Sequence, residues 1–336
     1  MKAYEIREFG IDKLAMVERD DPLPGPHEVL VRFRAVSLNY RDLMAVSGTY
    51  NPRMKLPAVP FSDGAGEVVS VGEAVKKWKA GDRVMPLFAQ LWFDGESTEE
   101  KRRSALGAGA FWDGVLRELG TFGEDSIVHI PEHLTFEEAA TLPCSAVTAW
   151  NALVHSGKVR PGETVLTLGT GGVSIFALQF AKMAGARVFA TSGSNEKITR
   201  LLELGADGTV NYRERADWDR AAQEFSPGGV DHVVEIGGSG TLSRSVNAVR
   251  IGGHIAMIGA LAEEMPFSPI NLFMKAIRLQ GIFVGSKRMF EEMNRAVSHH
   301  EMRPVVDRVF GFDEARDALT YMKEGAHFGK IVVNMA

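Results

Sequence analysis

The chain has 336 residues, 45% of them apolar and 24% charged, with 43 acidic against 38 basic side chains and a formal net charge of −5. That is a soluble globular composition, and it excludes a disordered or fibrous chain. It also leaves no basic face for nucleic acid and no polybasic patch for a membrane, while the single cysteine, Cys144, excludes an internal disulfide or a four-cysteine zinc site. At about 150 residues per domain the length predicts two domains. No apolar run reaches the roughly 18 residues of a membrane span. The charged start MKAYEIREFG lacks a signal-peptide core, so the expected location is the cytoplasm.

Residues 1–90 read as short strands and turns. A proline-rich entry at Pro22 to Pro26 precedes a predicted strand over Val29 to Val36, and a second runs from Gly64 to Val71. Gly81-Asp82-Arg83-Val84 reads as a turn feeding a further strand. Residues 94–104 are dense in charge and predict a solvated loop or a short exposed helix. The aromatics around them, Phe88, Trp92, Phe93, Phe111 and Trp112, read first as packing under a long loop and second as pocket lining.

From about Thr164 strands alternate with helices. Thr164–Leu168 is a predicted strand. Val173, Phe176, Ala177, Phe180 and Ala184 then share one helix face, and Gly185 stops that helix. Arg187–Thr191 is the next strand, after which Ser194 can cap a helix turning Ile198, Leu201 and Leu202 inward. Further strands are predicted at Thr209–Asn211, His232–Ile236, His254–Ile258 and Leu279–Val284. Six apolar strands alternating with helices predict an α/β architecture, a parallel, doubly wound dinucleotide-binding sheet.

Gly169, Gly171 and Gly172 follow the first of these strands and open a helix, which is the context that makes a glycine triplet informative. Gly169 allows the tight turn, Gly171 or Gly172 lets backbone approach a pyrophosphate at the helix end, and Ser174 is small enough for close packing. The second strand ends without the carboxylate that would receive NAD ribose hydroxyls. Ser192, Ser194 and Lys197 stand there, suiting a 2′-phosphate, although Glu196 remains a ribose acceptor in reserve.

The stretches PLPGPHEVLVRFRAVSLNYRDLMAVSGTY, PAVPFSDGAGEVVSVG, GDRV, AATLPCSAVTAWNAL, the glycine loop and HFGKIVVNM together resemble the medium-chain dehydrogenase/reductase superfamily, in its zinc-free quinone-oxidoreductase-like branch. The resemblance runs nearly end to end. It implies a GroES-like β-rich catalytic domain from residues 1–124 and 286–336, a Rossmann domain over 125–285, and an active site in the cleft between them. It implies NADP(H), with Ser192, Lys197 and Tyr212 on the 2′-phosphate and Thr148, Gly169, Gly171, Gly172, Val173, Gly259, Phe283, Val284 and Lys330 elsewhere along the cofactor. Asn39 and Tyr50 match cleft residues beside the nicotinamide and are the catalytic candidates.

Zinc-dependent members use two cysteines and a histidine. Here Asn39 and Ser62 occupy two of those positions and Cys144 alone keeps the third, so no metal is expected. The nine histidines show no ligand spacing, and His299-His300 is expected on the surface. Without zinc, hydride transfer suits an already electrophilic acceptor, a quinone or an alkene conjugated to a carbonyl. Water, Tyr50 or Tyr40 would supply the proton, and Asp42 and Asp63 are expected to satisfy buried backbone amides. The rival readings are a zinc-free alcohol or aldehyde dehydrogenase and a low-turnover NADPH-binding structural or sensor protein. A homodimer paired through Leu279–Val284 is expected.

Overall fold

A computed structural model describes residues 1–107, 112–261 and 267–335. The chain divides into two compact units, Met1–Val147 with Gly285–Ala336, and Thr148–Val284. The first break falls at Val147 rather than at residue 124, and the reason is local. The strand Ile127–His129 pairs antiparallel with Arg83–Pro86, which ties residues 125–147 to the first unit's sheet.

In the first unit Glu28–Ser37 is the organising strand. Its alternation turns Val29, Val31 and Phe33 inward, where each fully buried apolar side chain stabilises by about 1.5–3 kcal/mol. It pairs antiparallel with Asp63–Val71, with Leu119–Gly123 and with Lys330–Asn334. Both ends of the chain therefore build one seven-stranded sheet, and the core beneath it joins Val29, Phe33 and Val68 to Ile331 and Val333. The charged stretch contains the exposed helix Glu99–Arg103, capped by Thr98. Phe88 and Trp92 are buried as packing, whereas Phe93 and Trp112 face solvent; Phe111 lies outside the described residues.

The second unit is a six-stranded, all-parallel sheet. Numbered by their order in the sequence, its strands lie in the order third, second, first, fourth, fifth, sixth, the doubly wound arrangement. The strands in chain order are Thr164–Thr167, Arg187–Ser192, Gly208–Asn211, Val230–Glu235, Val249–Met257 and Arg278–Gly281. The first helix, Gly172–Met183, is buried on most of its circumference, because helix and sheet cover it on more than one side. Two expectations fail here. Leu202 is 49% exposed, since the helix Asn195–Glu203 seats on Leu201 and turns the next position outward. The last strand ends at Gly281, not Val284. Val284 adopts φ +44, which ends any extended run, and its carbonyl accepts from the Asn151 side chain at 2.6 Å instead of from a neighbouring strand. All four residues of Arg278–Gly281 are exposed, leaving an open sheet edge.

Candidate functional site

The second unit carries the glycine turn that the sequence marks as the expected cofactor site. Gly169 follows the first strand at φ +70, a conformation side chains resist, and turns the chain into the helix at Gly172. The turn is fastened twice. Thr191 Oγ1 accepts from the Gly169 N–H at 3.2 Å, and the Ser174 hydroxyl donates to the Leu168 carbonyl at 2.6 Å. A Cβ built at Gly171 would meet nothing within 4 Å, so open space lies beside the helix start. Gly171, Gly172 and Val173 thus present a helix N-terminus toward that space, the geometry that receives a pyrophosphate.

At the tip of the second strand the Ser192 hydroxyl accepts from the Ser194 N–H at 3.2 Å, and Ser194 caps the helix that carries Lys197. Gly193 is enclosed: a Cβ there would stand 2.7 Å from the Tyr212 hydroxyl and 3.0 Å from Arg213 Nε. The structure therefore brings Ser192 and Tyr212 to one strand tip, with Lys197 in the first turn of the helix that Ser194 caps, and adds Arg213, which sequence reasoning missed although it directly follows the Asn-Tyr pair. Hydroxyls and cations at that tip fit a phosphate-bearing ribose, and the glycine turn fits the pyrophosphate of a nicotinamide dinucleotide.

Other expected cofactor contacts are distributed around the same sheet. Gly259 follows the fifth strand, and a Cβ there would lie 2.3 Å from the Ile236 carbonyl oxygen. Thr148 is buried, and Phe283 precedes the left-handed Val284 that Asn151 holds. Asn151 went unnoticed in the sequence because its partner lies 133 residues away. Glu235 was missed as well. Its buried carboxylate accepts from the Gly237 and Gly238 N–H groups and the Thr241 and Ser245 hydroxyls, tying down the start of the helix Ser239–Ala248.

The first unit carries Asn39, Tyr50 and Lys330. Asn39 precedes the helix Tyr40–Val46, and its N–H donates to the Asp42 carboxylate at 2.8 Å. Its side chain turns the other way, into a buried polar network. The resemblance places Lys330 toward the cofactor, but its three ammonium hydrogens are spent inside this unit. Nζ lies 2.6 Å from the Leu38 carbonyl, 2.7 Å from Asn39 Oδ1 and 3.3 Å from Ser145 Oγ. Asp63 stands 3.9 Å from the ammonium. It accepts from the Ser62 hydroxyl at 2.9 Å and the Cys144 N–H at 3.1 Å. Asp42 and Asp63 thus both accept backbone N–H groups, as expected.

Burial raises the Asp63 carboxyl and lowers the Lys330 ammonium, each against the other's charge. Burial also pushes Asp42 up to about 6, with the Arg41 charge opposing. Tyr50 stands outside the network, exposed, with the Arg41 guanidinium 5.2 Å from its ring centre; Tyr40 is also exposed.

The donors at the expected metal position do not fit zinc. Asn39 offers an amide, Ser62 a hydroxyl, and burial keeps the Cys144 thiol protonated beside Lys330. Among the described residues no three His, Cys, Asp or Glu side chains gather to hold a metal ion, and no helix is long and apolar enough to cross a membrane.

Comparison with known proteins agrees with both units. Residues 25–132 match the alcohol dehydrogenase GroES-like domain, and residues 172–299 the zinc-binding dehydrogenase domain. The chain is 43% identical over 335 residues to a zinc-type alcohol dehydrogenase-like protein of Schizosaccharomyces pombe (strain 972), covering 97% of this chain and 96% of that one. It is 29% identical to the quinone oxidoreductase of Sus scrofa, covering 95% and 92%. A solved NAD-dependent alcohol dehydrogenase superposes with a TM-score of 0.90 at 32% identity, over 100% of both chains. The chain therefore belongs to the medium-chain dehydrogenase/reductase superfamily and is a nicotinamide-dependent oxidoreductase.

Proposed function

We propose that this oxidoreductase transfers hydride from NADPH to a quinone or an α,β-unsaturated carbonyl compound without zinc, with Asn39 and Tyr50 on the acceptor. The observation that carries the reading is the Lys330-centred network. It fills the expected metal position with an ammonium, an amide, hydroxyls and a protonated thiol, a set that leaves a simple alcohol or aldehyde without a Lewis acid. An acceptor that is electrophilic on its own needs only orientation and a hydrogen bond. The cofactor supplies the hydride. Following NADPH oxidation with quinones, enones, enoyl thioesters and aldehydes tests this reading; turnover confined to aldehydes would overturn it. Zinc analysis of protein purified without a metal-affinity tag should give far less than one equivalent per chain.

Preference for NADPH rests on Ser192, Tyr212 and Arg213 around Gly193 and on Lys197 in the helix that follows. A charge-assisted hydrogen bond from Lys197 is worth on the order of 1.5–3 kcal/mol, or roughly 10- to 150-fold in affinity. Lys197→Ala should weaken NADPH by about that factor and leave NADH nearly unchanged, as read by titrating both cofactors. Equal weakening would move attention to Glu196, in the first turn of the same helix. That residue favours the second reading, an NAD-linked, zinc-free alcohol dehydrogenase. The small-molecule acceptor is the expected partner. The open edge at Arg278–Gly281 supports a homodimer, checked by light scattering at micromolar concentration, and the single cysteine suits the cytoplasm.

A further inference from the structure

We infer that Asn151 is a positioning residue for the cofactor: its side-chain amide holds the Val284 carbonyl and thereby presents the Val284 N–H to the carboxamide oxygen of the nicotinamide ring. This assignment deepens the cofactor reading above and rests on it. Valine is a poor choice for the backbone that Val284 adopts. At φ +44 a β-branched side chain crowds its own peptide, and a free valine returns to negative φ. A residue so placed persists only where its surroundings hold it, and such positions gather at ligand sites.

The holder is Asn151, which is itself buried. A carbonyl only accepts, so the end of the amide that faces Val284 is Nδ2, which donates at 2.6 Å. The other end is set by Ser156, whose hydroxyl donates to Oδ1 at 3.1 Å. Ser156 is anchored in turn, because its carbonyl accepts from Arg278 Nη2 at 2.6 Å. Asn151 and Ser156 are the two ends of one π-helical segment, a rare form that recurs at functional sites. That segment therefore grips the last strand at its first residue and the chain again three residues past the strand's end.

The Val284 N–H is left over. It makes no hydrogen bond among the described residues, although the residue is only 6% exposed. Buried N–H groups without a partner are rare, and one at a ligand site is a donor for which the ligand supplies the acceptor. The sheet puts this donor at the ligand-binding edge. A doubly wound sheet binds a dinucleotide outside the carboxyl ends of its strands, with one half on either side of the point where the strand order reverses. On the reading above, Ser192 and Tyr212 at the tip of the second strand take the adenosine half. The nicotinamide half then falls to the fourth, fifth and sixth strands. The fifth and sixth leave the sheet side by side, the Ile282 N–H donating to the Met257 carbonyl at 2.8 Å, and Val284 follows two residues later. A donor held there sets the rotation of the ring about its bond to ribose. Asn151 touches neither the cofactor nor the reacting atoms and acts only through Val284.

The test is calorimetric titration of wild type and Asn151→Ala with three ligands: NADPH, its 3-acetylpyridine analogue, and 2′-phospho-ADP-ribose. The analogue keeps the carbonyl oxygen on the ring and lacks the amide nitrogen; the last ligand lacks the nicotinamide altogether. One neutral hydrogen bond corresponds to about 3- to 10-fold in affinity. Asn151→Ala should weaken NADPH by about that factor and the analogue equally, within about 2-fold. The fragment should change by less than about 2-fold. A loss shared equally by the fragment would make Asn151 a general support of the fold. A loss spared by the analogue would put the contact on the amide nitrogen. Either result overturns the assignment, as does unchanged binding of all three.

If Asn151→Ala does not fold, Asn151→Asp is held to the same criterion, since it keeps the shape and the Ser156 partner but turns an acceptor toward the Val284 carbonyl. Wild type gives an independent readout. Its Val284 amide proton should exchange with solvent at least about 10-fold more slowly with saturating NADPH than with saturating 2′-phospho-ADP-ribose, and equal exchange would overturn the contact. A wild-type protein that prefers NADH sinks the NADPH reading alone; the same comparisons are then made with NADH, its 3-acetylpyridine analogue and ADP-ribose.

Discussion

Each unit buries a cluster of titratable groups, and the two clusters solve the same problem in opposite ways. In the first, the buried Lys330 and Asp63 stand 3.9 Å apart, and oxygens and N–H groups surround them. In the second, the register partners His232 and His254 face each other on adjacent strands with their Nδ1 atoms 3.4 Å apart. Glu163 meets His232 at 2.9 Å, but among the described residues no partner reaches His254 Nε2. Burial, the nearby Arg278 charge and His232 lower the His254 pKa to about 3, so the ring stays neutral. A buried group that finds an opposite charge keeps its own; one that finds a like charge gives it up.

The comparison breaks most visibly at Lys330. Lys330→Met alone strands the Asp63 carboxylate in the interior and should cost about 3–5 kcal/mol, measured by urea unfolding. Adding Asp63→Asn should recover most of that loss. A paired variant as unstable as the single one would mean that the lysine acts by packing rather than charge.

Asp42 sharpens the contrast within the first unit. Its Oδ1 is buried with no hydrogen-bond partner among the described residues, and its folded-state pKa, about 6, lies above the unfolded value. The folded chain binds this proton first, so the penalty is full above pH 6 and vanishes as pH falls toward 4. Asp42→Asn should therefore stabilise by up to about 2–3 kcal/mol at pH 7.5 and by nothing at pH 4. A gain independent of pH would assign the effect to something other than charge.

His254 has the opposite sign. Its folded pKa lies below the unfolded one, so stability is whole above about pH 6.5 and is lost as pH falls toward 3. The expected loss by pH 5 is about 1–2 kcal/mol, and His254→Gln should flatten that slope in a series of unfolding curves. An unchanged slope would place the acid sensitivity elsewhere.

What the sequence disclosed follows the range of the interactions. The alternation of the second unit is local, so its strands and the glycine turn were legible, as was the Ser194 cap three residues from the Lys197 N–H it accepts. Leu202 failed because periodicity defines a face but not which edge of it meets the sheet. The end of the last strand failed because Val284 is bent by Asn151, far off in the chain. Lys330 was visible as a motif residue but not in its role, since 291 residues separate it from Asn39. Asn39 itself was legible as a candidate, but the direction of its amide is a property of the assembled frame.

That separation also bears on how the protein is made. The first unit draws on residues 1–147 and on residues from 285 onward, with the whole second unit synthesised in between. Chains fold domain by domain as they leave the ribosome. The segment 148–284 is then complete and able to fold while the sheet before it still lacks the strand Lys330–Asn334. Until that strand arrives, Asp63 lacks the Lys330 ammonium that stands 3.9 Å from it in the folded chain. The order of synthesis thus lets the segment 148–284 fold before the sheet of the first unit is complete.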